Sequence, residues 1–113
     1  MIQIYHNNRC SKSRECVLHF KTIHQEVEVV NYLQNPPSES DLKVLLGKLN
    51  IKAIELVRTN EKIWNDSFSK RELSGNEIIT ILSENPILIQ RPIVINGKKA
   101  VIARPLEEIK HIM

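Results

Sequence analysis

Cys10 follows the polar run His6-Asn7-Asn8-Arg9 and precedes Ser11-Lys12-Ser13-Arg14. A cysteine in that setting has the makings of a nucleophile, because the thiolate is the reactive form and its surroundings set how much of it exists. Helical periodicity begins at Ser11. The sulfur is therefore expected beside unpaired backbone N–H groups and the positive end of a helix dipole. Arg9, Lys12 and Arg14 add positive charge nearby, and each influence lowers a thiol pKa from its reference of about 8.5. His6 lies across the same loop, positioned to hydrogen-bond the sulfur or to donate a proton. In the spacing C-x-x-S, Ser13 occupies the place that a resolving thiol takes in C-x-x-C. Local disulfide exchange is then unavailable, and a second thiol must come from elsewhere. A cysteine near a helix start is as a rule a small buried residue, but the polar loop ahead of Cys10 argues for access. Cys16 lies about 9 Å further along the helix at 1.5 Å per residue. It cannot pair with Cys10 while the helix is intact, and its apolar neighbours assign it to the core.

The elements that must position this loop are legible on either side of it. Ile2-Gln3-Ile4-Tyr5 alternates as a short strand. Cys16, Val17, Phe20 and Ile23 recur at helical spacing, and the β-branched run Val27 to Val30 reads as a second strand, parallel to the first through a helical crossover. Asn35-Pro36-Pro37 closes that unit. Ser38 with Asp41 forms a capping box for a helix through Leu42, Leu45, Leu46 and Leu49. A helical stretch from about Ala53 to Trp64 is expected to break near Thr59-Asn60. Ser74 with Glu77 opens another helix through Ile78, Ile81 and Leu82, which stops by Asn85-Pro86. Pro92-Ile93-Val94-Ile95 and Lys99 to Ala103 read as strands joined at Asn96-Gly97, a hairpin signal. Pro105 is expected as a first helical residue, with Glu107 and Glu108 in the first turn. The order β-α-β, helical block, β-β-α makes an α/β protein of thioredoxin-like arrangement. Residues 1–113 form a single domain in this reading, with a helical insertion at about 38–85 between the second and third strands.

At 113 residues the chain is one domain's worth. Sixteen basic and thirteen acidic residues give a formal net charge of +3, which suits a small anion as well as it suits nucleic acid. The basic residues are scattered and the few aromatics form no stacking stripe, so nucleic-acid binding is not expected. No apolar run approaches a membrane span and no signal-peptide layout opens the chain; the protein is read as cytoplasmic, with no membrane partner. His6, His19, His24 and His111 show no paired ligand spacing with the cysteines, and no metal is expected. His19 and His24 are expected in solvent, and Trp64, Phe68 and Phe20 in packing.

Several segments together carry a resemblance. Tyr5-His6-Asn7 with Cys10-Ser11-Lys12-Ser13-Arg14 resembles the active-site segment of the glutaredoxin-coupled arsenate reductase family. Asn35-Pro36-Pro37-Ser38, Leu56-Val57-Arg58, Pro86 to Val94 and Ala103-Arg104-Pro105 resemble later motifs of that family, in the same order. The resemblance covers nearly the whole chain. It implies that Cys10 is the nucleophile, that His6 tunes it, and that Arg58, Arg91 and Arg104 bind an oxyanion such as arsenate. Guanidinium forks match tetrahedral oxyanions bidentately and do not lose their protons. Ser13, Arg14 and Pro92 support the site, and the fold implies a cis Arg91-Pro92 bond. Further implications are glutathione as co-substrate and glutaredoxin as a partner, with no bound cofactor. The family commonly has proline where this chain has Asn8, and the last motif lies close to Met113, as in the short branch of the family. Two other functions suit the same scaffold. Spx-type regulators bind RNA polymerase but typically carry a C-x-x-C switch, against which Ser13 argues. A general glutathione-dependent thiol oxidoreductase would need Cys10 alone.

Overall fold

A computed structural model describes residues 1–113. Packing divides the chain into two compact units, Met1–Asn35 with Arg91–Met113, and Pro36–Gln90.

The first unit is built on a four-stranded sheet of order β2-β1-β3-β4. Its strands are β1 (Ile2–Tyr5), β2 (Val27–Val30), β3 (Ile93–Asn96) and β4 (Lys99–Ile102). Strands β1 and β2 are parallel, with Ile2 opposite Val27 and Tyr5 opposite Val30. Their connection is helix α1 (Ser11–Thr22), as a parallel pair requires. Antiparallel β3 lies on the other side of β1, with Ile4 opposite Val94. One face of β1 is apolar because its side chains alternate: Ile2 and Ile4 are buried with Val94 of β3, Cys16 and Phe20 of α1, and Ala103, Ile109 and Ile112 near the C-terminus. Burying a side chain of this kind contributes about 1.5–3 kcal/mol.

Three local details of this unit depart from the sequence reading. The hairpin pairs Asn96 with Lys99, so the two loop residues are Gly97 and Lys98, not Asn96 and Gly97. Gly97 has φ +63° and Lys98 is not in the left-handed region; this is the pattern of a turn with glycine first, in which only that residue needs positive φ. The C-terminal helical element, Leu106–His111, is a 3-10 helix, and Pro105 caps it in extended conformation instead of entering it. At the far end of α1, His24 takes φ +57°. Its N–H bonds to Lys21 O and that of Gln25 to Phe20 O, the paired bonds of a Schellman motif with histidine where glycine is usual. His19, expected in solvent, is half-buried with its ring edge-on to Phe20.

The second unit is helical. Helices α2 (Glu39–Leu49) and α4 (Gly75–Glu84) both open with complete capping boxes, Ser38 with Asp41 and Ser74 with Glu77. They pack on one another and bury Leu42, Leu45, Ile78, Ile79, Ile81 and Leu82. Between them the expected helical stretch divides into a 3-10 turn, Ala53–Leu56, and helix α3, Lys62–Ser67. The break starts at Val57, earlier than Thr59, because Val57 bridges Ile89 as in a sheet. That pairing takes the backbone groups a continuous helix would have used. Trp64 is buried and packs on Phe68, and Pro86 starts a 3-10 turn, Pro86–Leu88, after α4 ends.

Candidate active site

The loop carrying Cys10 is tied down by its own polar groups. Cys10 N–H donates to Asn7 O at 3.0 Å, closing a turn over Asn8 and Arg9. Asn7 is buried, and its Oδ1 accepts the N–H of Arg9 at 3.0 Å. An asparagine that bonds the backbone two residues on mimics a turn by itself; the run His-Asn-Asn-Arg held that signal, and the sequence reading did not single out Asn7. Arg14 N–H then bonds Cys10 O at 3.0 Å as the first helical bond, so Cys10 is the N-cap of α1.

The Cys10 side chain is half-buried. It makes no capping hydrogen bond of ordinary geometry, yet the helix start still acts on it. Burial raises its pKa, but this is outweighed by the N–H of Ser13, a hydrogen bond from Arg91, the N–H of Lys12 and the Arg91 charge. The net effect lowers the thiol from 9.0 to about 7, so that a large share is thiolate near neutrality. Cys16 behaves oppositely: it is fully buried, and desolvation, reinforced by the Glu15 charge, pushes its thiol up to about 12.

The cation on the sulfur is therefore Arg91, 81 positions further along the chain, and not the neighbours singled out by sequence. Arg9, Lys12 and Arg14 are exposed. Lys12 lies 3.9 Å from Glu15, and Arg14 Nη1 donates to Asn8 O at 3.0 Å. These three side chains point into solvent, so nearness in sequence does not bring their charge onto the N-cap sulfur.

His6 lies across the same loop, where it meets Ser13. Its Nδ1 is 2.8 Å from Ser13 Oγ, an oxygen that accepts the Asn7 N–H at 3.0 Å. Ser13 is completely buried. Burial, and then the Arg14 charge, holds the His6 pKa below 6.5, partly opposed by hydrogen bonding to Ser13. A neutral imidazole thus sits on the serine, and Ser13 joins it to the helix start that carries the sulfur.

Arg91 and Arg104 come together through the end of the hairpin. Both arginines precede cis prolines, Pro92 and Pro105. Pro92 O accepts the Ala103 N–H at 2.9 Å, and Arg104 Nη1 reaches Arg91 O at 3.3 Å. The Nε and Nη1 of Arg91 are buried without a hydrogen-bond partner in the protein. Leaving buried guanidinium donors unpaired costs free energy, whereas an anion beside Cys10 would satisfy them.

Arg58 belongs to the second unit. Its N–H bonds Leu88 O at 2.7 Å, beside the Val57–Ile89 bridge, and Gln90 Nε2 bonds Val57 O at 3.0 Å. Its side chain is 13% exposed and its Nε pairs with Glu61 Oε1 at 3.1 Å. The arginine is held, not free. No three His, Cys, Asp or Glu side chains gather where they could hold a metal ion, and no helix is long and apolar enough to cross a membrane.

Comparison with known proteins bears on this arrangement. An arsenate reductase of Haemophilus influenzae is 40% identical, over 97% of this chain and 97% of that protein. The uncharacterized Escherichia coli protein YfgD is also 40% identical, over 99% of this chain and 96% of its own. Among solved structures, the arsenate reductase from Vibrio cholerae superposes with a TM-score of 0.94 at 32% identity, covering 99% of this chain and 97% of that one. The family model of the ArsC family matches residues 5–112. With a match of that extent, and relatives of this similarity over their full length, the chain belongs to the ArsC family.

Proposed function

We propose that this protein is an arsenate reductase in which Cys10 is the only attacking thiol. The observation that carries the reading is the pairing of a thiol lowered to about 7 with Arg91, whose buried Nε and Nη1 lack acceptors in the protein. A nucleophile and unsatisfied oxyanion donors in one place are what acyl- or arsenyl-type transfer to sulfur needs.

In this reading the Cys10 thiolate attacks As(V), and an arsenate oxygen leaves as water after protonation. Arsenic is then bonded to Cys10. Glutathione adds to arsenic through its sulfur, with loss of a second water. A glutaredoxin thiolate attacks the glutathione sulfur; a mixed disulfide forms, and the sulfur–arsenic electron pair stays on arsenic, which becomes As(III). Hydrolysis of the remaining bond releases arsenite and Cys10. Arg91 and Arg104 hold the oxyanion, joined by Arg58 on the strength of the family resemblance. His6 positions the helix start through Ser13. Ser13 in place of a second cysteine makes the external thiols necessary.

The test is arsenate-dependent NADPH oxidation with glutathione, glutaredoxin and glutathione reductase supplied. Wild type should turn over, Cys10→Ser should not, and Cys16→Ser should retain most activity. Charge-assisted hydrogen bonds contribute about 1.5–3 kcal/mol each, so Arg91→Ala or Arg104→Ala should lose roughly ten- to hundredfold. Arg91→Lys should recover only part, since an ammonium lacks the fork. Wild-type protein without turnover, and without protection of Cys10 from alkylation by arsenate, would defeat the reading.

A further inference from the structure

Arg9, Lys12 and Arg14 are the cations nearest Cys10 in the chain, and neither the sulfur nor an acidic partner uses up their charge. None of the three is among the groups whose charge lowers the Cys10 pKa; Lys12 acts there only through its backbone N–H. All three side chains are exposed. Arg9 and Arg14 form no ion pair. Lys12 meets only Glu15, at 3.9 Å with both side chains 53% exposed, a contact that contributes little. Arg14 rests on a peptide carbonyl, Asn8 O, which leaves its charge uncompensated. No acidic residue occurs from His6 to Arg14.

This placement runs against helix electrostatics. Acidic residues stabilise a helix N-terminus and cations destabilise it. Helices α2 and α4 follow that preference, whereas the first turn of α1 has no acidic residue. At 100° per residue, Lys12 and Arg14 stand on opposite sides of buried Ser13. Positive charge therefore flanks the Cys10 turn on both sides, with Arg9 immediately before the sulfur.

We propose that Arg9, Lys12 and Arg14 select by charge the small sulfur compound that exchanges with Cys10, favouring anionic ones over neutral or cationic ones. The proposal rests on Cys10 being the exchanging thiol. It assigns to these residues no contact with the oxyanion. Their field raises the local concentration of an incoming anion, an effect that falls off over a Debye length of about 10 Å at 0.1 M salt and 3 Å at 1 M.

The test uses the reduced wild-type protein and three methanethiosulfonates, bearing a sulfonatoethyl, a methyl or a trimethylammonioethyl group. In each reaction the Cys10 thiolate attacks the sulfenyl sulfur; a Cys10–S–S–R bond forms, the thiosulfonate S–S bond breaks, and methanesulfinate leaves with the electron pair. Rates are divided by those for free 2-mercaptoethanol, which removes intrinsic differences among the reagents. The anionic reagent should be fastest and the cationic one slowest, with the difference collapsing at 1 M salt. Arg9→Glu/Lys12→Glu should reduce the anionic-to-cationic ratio by about tenfold, the low end of known electrostatic steering. Arg9→Gln/Lys12→Gln, which imposes less repulsion, should reduce it by a smaller factor, and circular dichroism checks that both variants fold. An unchanged ratio in the folded variants would assign the preference to Arg91 and Arg104 and overturn the proposal, as would the absence of any preference in wild type. No oxyanion enters these reactions. A protein that fails to reduce arsenate but keeps the charge preference defeats the proposed function and not this one, and the reverse result does the opposite.

Discussion

His6 Nδ1 lies 2.8 Å from Ser13 Oγ, and that same oxygen accepts the Asn7 N–H at 3.0 Å. The imidazole is thereby bound to the residue whose backbone N–H favours the Cys10 thiolate, while the charge acting directly on the sulfur comes from Arg91. Residue 13 thus joins the loop, the histidine and the nucleophile through one buried side chain.

From this arrangement, Arg91→Ala should raise the Cys10 pKa more than His6→Ala does. Arg91 supplies both a hydrogen bond and a charge to the thiolate, whereas His6 acts through Ser13. Absorbance titration at 240 nm or iodoacetamide alkylation against pH measures both. The larger rise in His6→Ala would mean that the imidazole acts on the sulfur itself.

Ser13→Ala should lower stability while leaving the backbone N–H that favours the Cys10 thiolate in place. The buried Asn7 N–H would lose its acceptor, and an unsatisfied buried donor costs about 1–3 kcal/mol. Urea unfolding of the variant should show a lower midpoint with an unchanged slope. A midpoint equal to wild type would show that the loop repairs the loss, for example with water.

The two cysteines should give stability opposite pH dependences. The folded pKa of Cys10 is lowered from 9.0 to about 7, so its contribution is present above 9.0 and is lost as pH falls through about 7. Cys16 is raised to about 12; its contribution is full below the unfolded value near 9.0 and is lost as pH rises toward 12. The stability difference between wild type and Cys10→Ser should therefore grow from pH 7 to 9, and that between wild type and Cys16→Ala should shrink above pH 9. At pH 8, iodoacetamide should label Cys10 alone in the folded protein. Mass spectrometry locates the label, and modification of Cys16 under those conditions would contradict its burial.

His24→Gly should stabilise the protein. His24 occupies φ +57° at the end of α1, and the left-handed region costs an L-residue roughly 1–2 kcal/mol. Glycine's greater freedom in the unfolded chain offsets part of that gain, leaving a rise in Tm of about 2–5 °C by the usual scaling for domains of this size. His24→Ala, which keeps the strain, should show no such rise. Equal melting temperatures for wild type and the glycine variant would count against a strained cap.

Local chemistry made much of this molecule readable from the chain. The capping boxes at Ser38 and Ser74 depend on groups three residues apart, and both formed. The alternation in β1, the helical spacing behind Cys10 and the core position of Cys16 are likewise short-range patterns. The Asn96-Gly97 signal located the hairpin correctly, but its exact turn depended on how β3 and β4 paired, which moved the central residues to Gly97 and Lys98. The stretch after Ala53 read as helical by propensity, and the Val57–Ile89 bridge interrupted it, because a partner 32 residues away competed for the same backbone groups.

The active-site residue types are present in the sequence, and the family resemblance named Arg91 and Arg104 with Cys10. Which charge acts on the sulfur was decided only by tertiary structure. Counting along the chain favours Arg9, Lys12 and Arg14, whose side chains splay into solvent from the helix start. The sheet order β2-β1-β3-β4 brings β3 beside β1, and with it Arg91 at the head of β3 comes to the loop that follows β1. A strand's own sequence specifies its alternation and its turns. Which strand lies next to it is set by the hydrogen bonds and apolar burial of the whole sheet, and that pairing brings the guanidinium to the thiolate.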